Sequence, residues 1–196
     1  AFLRADPDVI MVGEMRDHET TQMGIEASLT GHLVFTTLHT NSAPETVTRL
    51  LDMGMDPFNF SDALICILAQ RLVRTLCREC SQPYHPDRSE YDELVREYGP
   101  EEFERHLNIP YSEDLTLFAP KGCRECNNTG YKGRMGIHEL LPATDEIKLL
   151  IQTRAMMHQV RDQAVEEGMT TLKQDGISKV FEGHCNLTEV RRVCIR

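Results

Sequence analysis

Residues 8–14 read DVIMVGE, a run of four apolar side chains closed by Gly13 and the carboxylate of Glu14. Set between an Asp-Pro turn and a glycine, so short and continuous an apolar run reads as a buried strand. Moving outward, DHETTQMGIEASL (17–29) begins on Asp17 as an N-cap and is followed by Gly31, which predicts a helix. HLVFTTL (32–38) is β-branched and aromatic, hence a second strand. Asn41 and Ser42 cap a helix over 43–53, with Pro44 in its first turn and Gly54 as its stop. Pro57 opens a longer helix to Leu76, on the helical spacing of its apolar positions. Strand, helix, strand, helix is the rhythm of a mostly parallel α/β sheet.

Beyond Cys80 the character changes. Pro83, Pro86, Pro100, Pro110 and Pro120 punctuate a charged stretch with room for short helices at 90–98 and 101–107. GYKGRMG (130–136) reads as a glycine-rich turn into a short strand at 137–141. Helices are expected at 145–153, 155–167, 171–182 and 187–193. The change of character near 77–83 separates an α/β part, 1–76, from a cysteine-bearing segment, 77–141, and a helical subdomain, 142–196.

The 196 residues are 40% apolar, enough for a substantial core. The net charge is −10 and is not gathered into a tail, which argues against a general affinity for nucleic acid or anionic membrane. Nothing approaches the roughly 18 uninterrupted apolar residues of a membrane span. The longest apolar-leaning stretch, 58–76, is broken by Asn59, Ser61, Asp62, Gln70, Arg71 and Arg74. No signal peptide opens the chain, so any membrane contact is expected through a partner. The first residue is Ala1 rather than Met, and the chain is expected to be a piece of a longer protein.

A rigid strand that delivers a carboxylate from its C-terminal edge can hold it beside the β- and γ-phosphates of a nucleotide. There it orients water or binds Mg²⁺ through water. Glu14 is the candidate for that role, and Gly13 would keep the backbone slim beside the nucleotide. Taken alone, the pattern more often marks an ordinary strand ending at a solvated glutamate. His39 stands at the end of the second strand, where an imidazole can hydrogen-bond a γ-phosphate or the attacking water. Arg4, Arg16, Arg49 and Arg71 are candidates for phosphate or intersubunit contacts, because guanidinium suits phosphate; a surface ion pair is the commoner fate of each.

Four of the seven cysteines form two CxxC knuckles, Cys77-Arg-Glu-Cys80 and Cys123-Arg-Glu-Cys126. Two such knuckles complete a tetrahedral shell suited to Zn²⁺, and with all four ligands from protein its role would be structural. The 42 residues between the knuckles must form an excursion of their own. Arg78, Arg124 and backbone amides are candidates to support the thiolates. His85 and His106 are conceivable replacement ligands. Cys66, Cys185 and Cys194 are left unpaired.

RADPDVIMVGEMRD (4–17) and TGHLVFTTLHTNSA (30–43) together resemble two boxes of the secretion-superfamily ATPases that drive type II secretion and type IV pilus assembly. The resemblance continues through GYKGRMGIHELL (130–141) and MTTLKQDGISKVFEG to near the C-terminus, and is weakest over 84–118. It implies the C-terminal part of a RecA-like, phosphate-loop NTPase domain followed by a zinc-knuckle segment and a small helical subdomain. It further implies Glu14 as the Walker B carboxylate, His39 as the γ-phosphate sensor, and nucleotide-binding places for Gly13, Arg16, Gly31 and Thr37. ATP with Mg²⁺, a structural Zn²⁺ on Cys77, Cys80, Cys123 and Cys126, and a homo-hexamer follow from the same resemblance. So does a cytoplasmic station at the inner membrane, held by secretion or pilus platform proteins, without direct nucleic-acid binding. The cysteines suit an extension motor rather than a retraction motor. No GxxxxGK[ST] occurs in the chain, so the phosphate loop is expected upstream of Ala1 and the chain alone is expected to be inactive. The contrasting reading is a zinc-dependent binding or regulatory module, with Arg71, Arg74, Arg78 and Arg88 as a local basic stretch.

Overall fold

The computed structural model describes residues 7–194; the candidate Arg4 lies outside them. The fold is α/β. Strands β1 (Val9–Val12) and β2 (Leu33–Thr36) pair in parallel, in register from Val9↔Leu33 to Val12↔Thr36. Parallel neighbours cannot be joined by a tight turn, so the chain returns through helix α1 (His18–Leu29). Asp17 caps α1 by accepting from the Thr20 amide at 2.8 Å, and that amide is the main cause holding its carboxyl below the ordinary value. Gly31 ends the helix at φ +98°, a conformation that costs a side-chain-bearing residue dearly. Only Ile10 of β1 is buried. Val9 and Met11 are exposed together with their register partners Leu33 and Phe35, so the strand is not the fully buried one its composition suggested.

Helices α2 (Ala43–Asp52) and α3 (Pro57–Ala63) follow, then the long strand β3 (Cys66–Leu76). A short strand β4 (Gln82–Tyr84), helices α4 (Arg88–Tyr98) and α5 (Pro100–His106), and strand β5 (Leu117–Ala119) make up the excursion between the cysteine knuckles. Strand β6 (Tyr131–Pro142) pairs with β3. Helices α6 (Asp145–Gln152), α7 (Met157–Glu166), α8 (Leu172–Phe181) and α9 (Leu187–Val193) complete the described chain.

Two expectations are corrected here. The helix predicted over 57–76 stops at Ala63, and its second half is strand β3. Its exposure alternates with period two, with Ile67, Ala69, Arg71 and Val73 on the more buried side. The β-branched Ile65, Ile67, Val73 and Thr75 favour that choice. The glycine-rich stretch 130–136 is the first half of β6 rather than a turn. Its pairing is visible in the bonds Cys77 N to Gly130 O (2.9 Å) and Thr75 Oγ1 to Lys132 O (2.6 Å).

The chain folds as two compact units. The first holds the described residues through Ala69 together with Leu140–Met169; the second holds Gln70–Glu139 and the chain from Thr170 onward. Division therefore falls within β3 and β6, not at 76/77 and 141/142, and the expected C-terminal helical subdomain is shared, α6 and α7 in one unit and α8 and α9 in the other. In the first unit Val47, Leu50 and Leu51 of α2 pack with Phe60 of α3, Ile147 and Ile151 of α6 and Val160 of α7. In the second, Phe103 of α5 meets Tyr98 of α4 edge-on (centroids 5.6 Å apart) and Phe181 of α8 (5.5 Å), which seats the excursion on α8.

The second unit also contains a nearly buried ion pair. Arg74 donates to both oxygens of Glu189, from Nε at 2.7 Å and from Nη2 at 2.5 Å, while its guanidinium lies over the Tyr131 ring, 4.2 Å from the centroid. The Glu189 side chain is 3% exposed and that of Arg74 41%. Hydrogen bonds from Arg74 hold the Glu189 carboxyl below the ordinary carboxylate range against the opposing effect of burial. The pair's stability is thus present above the unfolded carboxylate pKa, about 4.3, and is lost as pH falls through the lower folded value. Arg74→Met leaves the buried Glu189 carboxylate with only the longer contact to Arg192 (3.7 Å) and is expected to cost about 2–3 kcal/mol, toward the low end for a broken buried pair because Arg74 is half-exposed. Urea unfolding checks this, and the variant should lose less stability than wild type below about pH 4, since Glu189 no longer contributes to the acid loss.

Candidate functional site

The parallel register carries Gly13, Glu14 and Met15 alongside Thr37, Leu38 and His39. Thr37 Oγ1 donates to Gly13 O at 2.6 Å, and the Met15 amide donates to Thr37 O at 3.1 Å, so the two strand ends are tied beyond the ladder itself. Glu14 then divides its two oxygens. Oε2 accepts from Arg16 Nε at 2.5 Å, and Oε1 lies 3.3 Å from His39 Nε2. The Glu14 side chain is 19% exposed, whereas those of Arg16 and His39 are 75% and 85% exposed. The carboxylate is therefore largely withdrawn from solvent, while the two basic groups that hold it stay reachable.

The loop that presents His39 is pinned from its far side. Ser42 caps α2 through the Glu45 amide (3.2 Å), Glu45 Oε2 accepts the Asn41 amide (2.7 Å), and Thr40 Oγ1 meets Thr46 Oγ1 at 2.6 Å. A position not singled out from the sequence, Gly24, serves the same end. A Cβ there would overlap Met15 Cε, the flexible end of that side chain, so the glycine makes room for the Met15 side chain as it lies under α1. An isolated glycine inside a helix costs about 1 kcal/mol relative to alanine, and that misfit was its one signal.

Glu14, His39, Arg16, Gly13 and Thr37 are thus brought together, while Gly31 is not. It lies before the start of β2, six residues from Thr37, roughly 20 Å along an extended chain. Its place is the end of α1, where the amide donates to Ser28 O at 3.1 Å. No described atom comes within 4 Å of a Cβ built on Gly13, so crowding there does not come from the described residues. Arg49 is exposed on α2, and Arg71 lies on β3 in the second unit.

The four knuckle cysteines meet in the second unit, their sulfurs all within 4.8 Å of one another. Cys77 and Cys123 are 3.9 Å apart, Cys80 and Cys126 3.8 Å, Cys123 and Cys126 3.8 Å. A tetrahedron of Zn–S bonds of about 2.3 Å has edges of about 3.8 Å, so the arrangement fits zinc. The 42-residue separation is closed by the ladder between β4 and β5, in register from Gln82↔Ala119 to Tyr84↔Leu117, two residues after Cys80 and four before Cys123. Asn127 and Asn128 turn the second knuckle in the left-handed region, φ 51° and 61°, which asparagine tolerates better than most residues.

Support for the sulfurs comes from backbone amides: Gly122 to Cys80 (3.3 Å), and Cys123 and Gly130 to Cys126 (3.1 and 3.2 Å). Burial resists ionisation of these thiols. At Cys126 the amides of Cys123 and Gly130, together with the Cys123 and Cys80 thiols, outweigh it and bring the thiol down to about 6. At Cys80 burial prevails and the thiol rises to about 11. His85 and His106 stand outside the cluster, engaged with Leu115 O (3.0 Å) and the Tyr98 hydroxyl (3.4 Å). The basic stretch noted in the sequence is not one surface. Arg74 is taken by Glu189, and Arg88 by Asp92 and the Tyr91 and Tyr111 rings.

Residues 1–192 match the family of type II/IV secretion system proteins. The chain belongs to this family. It is 45% identical over 193 residues to the type II secretion system ATPase E of Vibrio cholerae, covering 98% of this chain and 36% of that protein. It is 46% identical over 190 residues to the type IV pilus assembly ATPase PilB of Thermus thermophilus, covering 97% of this chain and 20% of that one. Among solved structures, the pilus retraction motor PilT with bound ADP superposes with a TM-score of 0.62 at 25% identity over 98% of this chain and 41% of its own. The ATPase DotB of Legionella pneumophila shares the fold at a TM-score of 0.61. The α/β fold is thus the RecA-like fold of secretion ATPases, and the chain spans between about a fifth and a third of the length of these two curated relatives.

The centre predicts about one zinc per purified chain by elemental analysis, with Co²⁺ substitution giving a tetrahedral thiolate spectrum. Cys126→Ser should lose the metal to a chelator the wild type resists. Its melting temperature should fall by about 2–4 °C for each kcal/mol of binding free energy lost.

Proposed function

We propose that this chain carries part of the nucleotide site of a motor ATPase for type II secretion or type IV pilus assembly, with Glu14 as its catalytic carboxylate and His39 as its phosphate sensor. The observation that carries the reading is the 3.3 Å approach of His39 to Glu14 across the carboxyl ends of two parallel strands, the place where open α/β sheets bind ligands. The family membership and the names of the relatives support it.

In this reading Glu14 orients the attacking water through Oε1, the oxygen that faces His39. When a γ-phosphate is present, the exposed imidazole exchanges its contact with Glu14 for the phosphate oxygen, and the loop 37–42 registers the exchange. Arg16 holds the other carboxylate oxygen and keeps the first in place. Mg²⁺, when bound, neutralises the charge on the β- and γ-oxygens. The backbone amides and lysine of a phosphate loop come from elsewhere in the full-length protein, since no such motif occurs in these 196 residues. Four all-protein thiolates leave no open coordination position, so zinc here is structural. The full-length protein works as a hexamer in the cytoplasm against inner-membrane platform proteins. No described helix is long and apolar enough to cross a membrane.

In the full-length protein Glu14→Gln should retain ATP binding and lower kcat by about 10²–10⁴-fold, the range for losing a positioned acid–base group. His39→Ala should lower kcat with little change in nucleotide affinity. The 196-residue chain alone should show no ATP turnover. Wild-type turnover by Glu14→Gln, or steady hydrolysis by the isolated chain, would overturn the assignment.

A further inference from the structure

The acidic excess of this chain is local. Residues 84–118 hold ten acidic and three basic side chains, a net −7 out of −10. The two arms that carry the cysteines, residues 74–80 and 119–134, run the other way with six basic and two acidic side chains. Beside Cys77 a cleft of about 610 Å³ is lined by Arg78, Lys132, Arg134 and His184, with Glu79 as the one carboxylate on its wall. Lys132 is engaged by Glu125 and His184 by Glu182. Arg78 and Arg134 are exposed and form no ion pair among the described residues. On α5 and the loop after it, Glu101, Glu104, Glu113 and Asp114 are likewise exposed and unpaired among the described residues, with Arg105 as the one exposed cation beside them on α5. The second unit thus holds two opposite charged surfaces that it does not neutralise against each other.

We propose that the cleft receives the acidic α5 surface of a second copy of this chain. Glu101 and Glu104 stand three apart on one face of α5, a spacing that presents two carboxylates side by side. Two guanidiniums in a concave site suit paired carboxylates, each accepting a forked hydrogen bond. The contact joins two different surfaces, so it does not stop at a two-fold dimer; it propagates into a ring where the rotation closes and into a filament where it does not. It is made of solvent-exposed charges and is therefore weak and salt-sensitive. The proposal rests on no part of the ATPase reading, which stands or falls separately.

Sedimentation velocity of the whole 196-residue chain with its metal tests it. Wild type should associate with rising concentration at about 20 mM salt and return to monomer at about 500 mM. Arg78→Glu/Arg134→Glu and Glu101→Lys/Glu104→Lys should each be monomeric at low salt. An equimolar mixture of the two variants should associate again, because each then offers the other's complement. No salt-dependent association of wild type, or a mixture no more associated than its components, overturns the proposal. It is overturned equally if the cations serve only to offset thiolate charge: the arginine variant then loses zinc while the glutamate variant associates like wild type. Since Glu101 and Glu104 lie outside the metal cluster, the second variant stays informative even where the first fails to hold metal. Capture of monomeric wild type by anionic phosphatidylglycerol vesicles, in place of self-association, would assign the cleft to a membrane instead.

Discussion

Two strands that run the same way bring their carboxyl ends to one edge, and the register of β1 with β2 makes Gly13–Met15 travel beside Thr37–His39. Everything distinctive about the first unit follows from that geometry. The return helix α1 is obligatory, its glycine at position 24 makes room for the Met15 side chain, and its C-terminal glycine at position 31 turns the chain into β2. A carboxylate and an imidazole 25 residues apart in sequence then come within 3.3 Å. Neither side chain reaches far; the backbone does the placing, and short hydrogen bonds at Thr37 and around Ser42 keep the loop from moving away.

The second unit solves a different problem, the closing of a long excursion on a small cluster of four thiols. A flexible 42-residue loop would scatter the knuckles, whereas the β4–β5 ladder joins the excursion's ends and leaves only short arms to Cys80 and Cys123. The aromatic contacts of Phe103 then fasten the excursion to α8, and Arg74 with Glu189 and Tyr131 fastens α9 to β3 and β6. The gathering of the four thiols and the packing of the excursion therefore support each other. A residue such as Tyr98, far from the cysteines in sequence, contributes by holding the excursion folded.

Local signals were legible where they suffice by themselves. Asp17 and Gly31 bounded α1, Ser42 and Pro44 opened α2, and the spacing of two CxxC pairs specified a four-thiolate shell. Where two periodicities compete, the local pattern does not decide. The stretch after Ala63 has apolar residues compatible with either helix or strand, and its pairing with β6 decides for strand. Residues 130–136 look like a turn because they carry three glycines, yet hydrogen bonds from Thr75 and Cys77 draw them into that strand. Gly31, which the motif resemblance places at a nucleotide, lies before the start of β2 and Thr37 after its end.

What the sequence determined by itself is chemistry and order: a carboxylate at a strand end, a histidine at the next, four thiols in two pairs, and the caps that begin and end helices. Those depend on residue type and short spacing, which one chain displays directly. Which carboxylate oxygen faces which base, which cations are consumed by buried partners and which stay free, and where the chain divides were decided only by tertiary structure. Each depends on residues brought together across tens of positions, and no local pattern of apolar or charged side chains encodes that distance.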